Sequence, residues 1–210
     1  MNNEIVNLKI DYEDVLVRMG ANKYRTKIDT KIETSILETI DLAKKLLQPK
    51  YAISMATKKI KDNDIFLDDF RITSKDIFRL LENSEQVCGL IATIGFSIDT
   101  KISFFLEQKE IMPAFILDSV GSVAIEELVE NICNDVKEKF GPTTMRFSPG
   151  YGDWPIQNQK DFLQWLGAEK IGITLSPTFQ MVPRKSVSAL FGITKKIIMI
   201  FTVKKTILIR

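Results

Sequence analysis

The sequence predicts an α+β fold: a single domain with a largely antiparallel bent sheet, flanking helices and one long helix near residues 113–140. Three observations predict it. Strand-like and helix-like segments are mixed along the chain without regular βαβ alternation, which favours antiparallel pairing. One uninterrupted helical pattern runs from Pro113 to a Gly141-Pro142 stop. No strand is followed by a GxGxxG turn, so a doubly wound fold has no support.

Each element follows from local chemistry. Residues 11–19 form a short helix capped by Asp11 and closed by Gly20. Thr30 and Glu33 are spaced as a capping box, in which hydroxyl and carboxylate each satisfy an orphan amide. Ile32, Ile36, Ile40, Ala43 and Leu47 then recur at helical spacing up to Pro49. Residues 51–56 and 65–67 read as strands around the turn-like 61–64. Ser74 caps a helix reaching Leu81, and 86–94 is β-like. Ile98, Ile102, Phe105 and Leu106 mark a further helix. Pro113 suits the first turn of the long helix, whose stripe of Ile116, Val120, Val123, Leu128 and Ile132 reads as core. Short strands at 143–147, 172–175, 179–182 and 187–191 follow, with a helix at 158–166 closed by Gly167.

Composition narrows the chemistry. The 210 residues are 45% hydrophobic, enough for a real core. The reading takes residues 1–192 as one unit and 193–210 as a divergent tail. No signal peptide opens the chain, and no apolar run approaches the roughly 18 residues that span a bilayer. A cytoplasmic protein that does not span a membrane is expected. Cys88 and Cys133 are distant in sequence and lie in apolar patterns, as buried free thiols do. The chain contains no histidine, which removes Ser-His-Asp and Cys-His catalysis and most zinc sites. The formal charge of +2 conceals an asymmetry, because residues 193–210 hold five basic residues and no acid. The remainder is net −3, which argues against nucleic acid as a partner.

The segment R-F-S-P-G-Y-G-D-W-P at 146–155 stands apart. Pro149-Gly150 forces a turn, and Gly150 and Gly152 allow backbone to approach a ligand. Arg146 supplies a fixed cation suited to a carboxylate, while Tyr151 and Trp154 supply aromatic faces. Read by composition alone, this is equally a strand-to-helix loop with its aromatics packed into the core. Glu126, read alone, is a solvated helix-face acid, and Arg184 and Lys185 are surface charges.

The run R-F-S-P-G-Y at 146–151 resembles the R-x-x-P-G-Y motif of the activation domain of cobalamin-dependent methionine synthase. The resemblance continues through Gln159, Leu163 and Leu166, I-G-I-T-L-S at 171–176, and M-V-P-R-K-S-V-S at 181–188. Upstream, D-S-V-G-S-V-A-I-E at 118–126 resembles that family's small-residue helix, L-I-A-T-I-G at 90–95 the strand before it, and I-D-Y at 10–12 its Ile-Asp-Trp.

The resemblance implies a binding site for S-adenosylmethionine built from Asp11, Glu126, Arg146, Ser148, Pro149, Gly150 and Tyr151. It implies reductive methylation of a cobalamin that a partner carries, either a methionine synthase or another corrinoid protein, after reduction by a donor such as flavodoxin. A non-catalytic docking or regulatory protein of a corrinoid methyltransferase is the alternative. The chain has no histidine and no corrinoid-binding motif, so the cobalamin is expected to arrive on a partner, and at 210 residues the chain looks like a free-standing form. The resemblance ends after Gly192, so a ligand-closing tyrosine that the family places beyond this point has no counterpart. Residues 193–210 remain open to three readings: a final strand pair, a basic apolar end touching membrane or partner, or a frameshifted terminus.

Overall fold

The computed structural model describes residues 8–21 and 28–194. Helix α1 (Tyr12–Arg18) starts where the Asp11 carboxylate accepts the Glu13 N–H at 2.9 Å. Helix α2 (Thr30–Leu46) starts one residue earlier than the capping-box pattern predicts. The Asp29 carboxylate accepts the Lys31 N–H at 2.7 Å, so Thr30 is already helical and Glu33 is one position too late to reciprocate. An ionised carboxylate also meets the positive helix end, an advantage a hydroxyl lacks.

Strand β1 (Lys50–Thr57) precedes a small meander of β2 (Lys59–Lys61), β3 (Asp64–Leu67) and β4 (Phe70–Ile72). The β2–β3 turn places Asp62 and Asn63 at φ 52° and 67°, the left-handed pair that a two-residue hairpin requires. Helix α3 (Lys75–Leu80) is capped by Ser74 as expected, with Oγ accepting the Ile77 N–H at 3.0 Å. There follow β5 (Ser84–Thr93), α4 (Ser97–Glu107) and the long α5 (Ile111–Phe140), which carries Pro113 in its first turn and ends at Gly141. Helix α6 (Gln159–Leu166) is closed by Gly167 at φ 68°. Strands β6 (Thr174–Leu175), β7 (Met181–Val182) and β8 (Ser186–Thr194) complete the described chain.

Every strand pair is antiparallel. The main sheet has the order β1-β5-β8; β2-β3-β4 and β6-β7 form two smaller sheets. Alternation along central β5 splits the interior into two cores. Cys88, Leu90 and Ala92 face α1, α2, α4 and α5, whereas Val87 and Ile91 face the β3–β4 meander, α3 and α6. Gly89, on the second face, leaves room for the Trp165 ring; a Cβ there would lie 2.2 Å from Cζ3. Gly89→Ala is therefore expected to lower stability by about 1–3 kcal/mol in urea unfolding, because α6 must lift away.

Two further expectations needed correction. Residues 143–147 make only isolated bridges to β8, Thr143 with Ile193 and Phe147 with Leu190. The reason lies between them: the Thr144 hydroxyl accepts the Gly192 N–H at 2.9 Å in place of a backbone carbonyl, which interrupts the ladder. Lys185 is not a surface charge. Its side chain is 12% exposed and crosses α5 at Gly121, with Nζ 2.9 Å from Asp118 and 2.8 Å from Ser122 Oγ. Among the described residues no helix is long and apolar enough to cross a membrane. Of the tail reading, only Ile193 and Thr194 fall within the described residues, as the end of β8; residues 195–210 lie outside them.

Candidate functional site

The site begins with the edge of the main sheet. The Phe147 backbone exchanges two hydrogen bonds with Leu190, both 2.8 Å, which fixes the direction of the neighbouring side chains. Phe147 turns toward α6 and stacks on Trp154, with centroids 6.4 Å apart. Arg146, one residue earlier, turns the other way, toward α5. There its Nη2 lies 3.2 Å from Glu126 Oε2, with the two side chains 33% and 59% exposed. Arg146 and Glu126, both implied by the resemblance as site residues, are thus neighbours that satisfy each other. An ion pair this open contributes about 0–1 kcal/mol, so a ligand offering its own charges can exchange into it.

Cys133 extends the same stripe of α5 at i+7 from Glu126. Burial raises its thiol pKa; Arg146 opposes this, and Glu130 and Glu126 add to it. Burial, with a smaller push from Cys133, raises Cys88 to about 12. Both cysteines are free thiols, and burial disfavours the thiolate form of each. Cys88 is expected to resist alkylation by iodoacetamide at pH 8 until the protein unfolds, and mass spectrometry of native and urea-treated samples checks this.

The loop after Phe147 folds back on itself. The Ser148 hydroxyl donates to the Ser188 carbonyl at 2.7 Å, which ties the loop to β8. Pro149 is buried, and Gly150 adopts φ 93°, a conformation open to glycine and strained for other residues. The N–H groups of Tyr151, Gly150 and Trp154 close successive turns onto the carbonyls of Ser148, Trp154 and Tyr151 at 3.2, 2.8 and 3.0 Å. These turns separate the two aromatics that composition left undecided. Trp154 is 1% exposed and belongs to the core, against Phe70, Phe147 and Phe162. Tyr151 is 68% exposed, a large ring held at the surface with little packing of its own.

Asp11 stands apart from this group. Its carboxylate caps α1 and has exposed Lys9 at 4.0 Å, so no polar contact joins it to Glu126 or Arg146, although α1 packs on α5. Two surface grooves, of about 360 and 500 Å³, lie elsewhere: one over Thr57, Lys58 and residues 82–85, the other beside Ser74, Lys75, Phe78 and Asp153. Arg146, Glu126 and Tyr151 line neither of these grooves.

Sequence reasoning missed a second set of contacts that hold the loop. The Asp153 carboxylate accepts from the Ser74 hydroxyl and from the N–H groups of Lys75 and Asp76, the latter two at 2.7 and 3.3 Å. Asp76 in turn accepts the Asp153 N–H at 3.2 Å. The Ser74 hydrogen bond chiefly, with the backbone donors and against some burial, holds the Asp153 carboxyl below its usual range. The only signal in the sequence was Ser74 as a cap; nothing local indicated the second carboxylate.

A guanidinium 3.2 Å from a carboxylate, both partly exposed, offers complementary charges to the two ends of a zwitterionic molecule. The guanidinium suits a ligand carboxylate and Glu126 a ligand ammonium. Among the described residues there is no cluster of metal-ligating side chains.

No protein-family model and no curated protein matches the sequence. A solved structure does match: the crystal structure of the MetH reactivation domain bound to AdoHcy. The similarity has a TM-score of 0.68 and covers 88% of this chain and 74% of that one, at 17% identity. The loop, the long helix and the three-stranded sheet therefore belong to a chain with the fold of the MetH reactivation domain.

Proposed function

We propose that this protein binds S-adenosylmethionine at the Arg146–Glu126 surface and supports reductive methylation of cobalamin held by a partner. The observation that carries the reading is the open Arg146–Glu126 pair, with Tyr151 exposed further along the same loop. It occurs on a fold shared with a domain whose crystal structure holds AdoHcy.

Each residue has a task in this reading. Arg146 binds the α-carboxylate and Glu126 the α-ammonium of the ligand. Backbone groups of Ser148, Pro149 and Gly150 read the edges of the adenosine. Tyr151 packs over the adenosine or beside the sulfonium, whose positive charge its ring face attracts. Asp11 is assigned as a further acidic contact on the resemblance at 10–12; among the described residues it caps α1 and has Lys9 at 4.0 Å.

The bound sulfonium offers a methyl group whose leaving group is a neutral thioether. Transfer to reduced cobalt breaks the S–CH3 bond and forms a Co–CH3 bond with the metal's electron pair, and no proton moves. Positioning and exclusion of water are then the protein's whole contribution, which suits a chain without histidine. The cobalamin-binding methionine synthase or corrinoid protein, and a reductant such as flavodoxin, are separate cytoplasmic partners.

Isothermal titration with S-adenosylmethionine tests the binding half; a wild type that takes up none, with or without a corrinoid partner, removes the reading. Anaerobic mixing with a reduced corrinoid protein tests transfer through the methylcobalamin spectrum. Binding without that spectrum would support the docking or regulatory alternative.

A further inference from the structure

We infer that Asp153 is a positioning residue for Tyr151, acting through a reciprocal clamp that joins the ligand loop to the start of α3. The inference rests on the proposed binding reading and extends the site to the meander side of the sheet.

Four hydrogen bonds form the clamp. Three run to the Asp153 carboxylate, from the Ser74 hydroxyl and the amides of Lys75 and Asp76. The fourth runs back, from the Asp153 amide to Asp76. Together with the Ser74 Oγ bond to the Ile77 amide, they satisfy first-turn donors of α3 that have no partner within the helix. Gly152 makes the approach feasible. At φ 51° a Cβ would sit 2.3 Å from Asp76 Oδ2, so a side chain there would push the two segments apart.

The loop has a second anchor, Trp154, seated in the aromatic core. Tyr151 lies on the far side of Asp153 from that anchor, and its exposed ring has little packing to fix it. Backbone turns tie Tyr151 to Ser148 and Trp154, and the Asp153 clamp adds the contact that fixes this turn against the start of α3. Fixing a loop before the ligand arrives raises affinity by removing an ordering cost from the binding step. The charged groups around the clamp are Lys75, Asp76 and Arg79, whose Nη1 lies 4.0 Å from Asp76.

A double-mutant cycle tests the inference. S-adenosylmethionine is titrated into the full chain bearing Asp153→Asn or Ser74→Ala, each alone and combined with Tyr151→Ala. Ser74→Ala removes one clamp bond together with the cap to the Ile77 amide, and serves as the second variant should Asp153→Asn fold poorly. The expected result is roughly a tenfold loss of affinity for either clamp variant, shrinking to less than twofold once Tyr151 is gone, since the clamp then has nothing to position. Hydrogen exchange at residues 150–154 is expected to accelerate in the clamp variants while α5 stays protected. Equal losses with and without Tyr151 would show a general structural role and overturn the inference. Unchanged affinity in both clamp variants would overturn it as well, with the binding reading intact. A wild type that binds no ligand overturns the binding reading and the inference together.

Discussion

Replacing Arg146 by alanine is expected to reduce S-adenosylmethionine affinity by ten- to a hundredfold while leaving the protein folded. Hydrogen bonds to charged groups contribute about 1.5–3 kcal/mol each, which sets that range. The variant also leaves Glu126 facing the ligand carboxylate with no intervening cation. Stability should fall by less than about 1 kcal/mol, because the pair it breaks is largely open to solvent. Arg146→Lys separates charge from shape: an ammonium keeps the attraction but loses the planar fork, so it should recover only part of the affinity. Calorimetric titration beside a thermal melt reads both quantities. A large drop in melting temperature for Arg146→Ala would mean that its main task is holding residues 143–147 against α5.

Trp154→Ala carries the largest expected stability change, about 3–5 kcal/mol in urea unfolding. The side chain is 1% exposed and meets Phe162 edge-on at 5.2 Å, with Phe70 and Phe147 each at 6.4 Å. One effect works in the other direction. The indole Nε1 is buried without a hydrogen-bond partner, and an unmet donor costs about 1–3 kcal/mol. The loss should therefore fall toward the low end of the range, and Trp154→Phe should lose much less than the alanine variant. Since Trp154 ends the turns that begin at Ser148, the alanine variant should also bind ligand poorly in conditions where it remains folded. Binding retained at wild-type strength by folded Trp154→Ala would separate the ligand loop from the aromatic core.

The elements that could be read directly are those whose signals are local. Helix α5 is bracketed by Pro113 and Gly141-Pro142 and carries a continuous apolar stripe, so its length follows from sequence alone. The turn at 61–64 was legible from Asp62 and Asn63, which tolerate left-handed backbone, although it joins β2 to β3, and the strand at 51–56 pairs with β5 instead. Ser74 and Gly167 mark helix ends through their own chemistry. What escaped depends on partners distant in the chain. Thr144 looks like a strand residue until its hydroxyl meets Gly192, and Lys185 looks exposed until Gly121 opens a path across α5. The Asp153 clamp joins residues 77 to 79 positions apart, beyond any periodicity or capping rule. The motif at 146–151 was legible, yet its central geometric fact was not: Arg146 and Glu126 face each other before any ligand arrives.

A crystal structure of the protein soaked with S-adenosylhomocysteine, which occupies the site without donating methyl, bears on the whole account at once. The ligand's carboxylate should lie on the Arg146 guanidinium and its ammonium on Glu126, with the pair opened from 3.2 Å and the Tyr151 ring over the nucleoside. A ligand seated away from this surface, or a saturated crystal in which the pair stays closed and the surface bare, would contradict it.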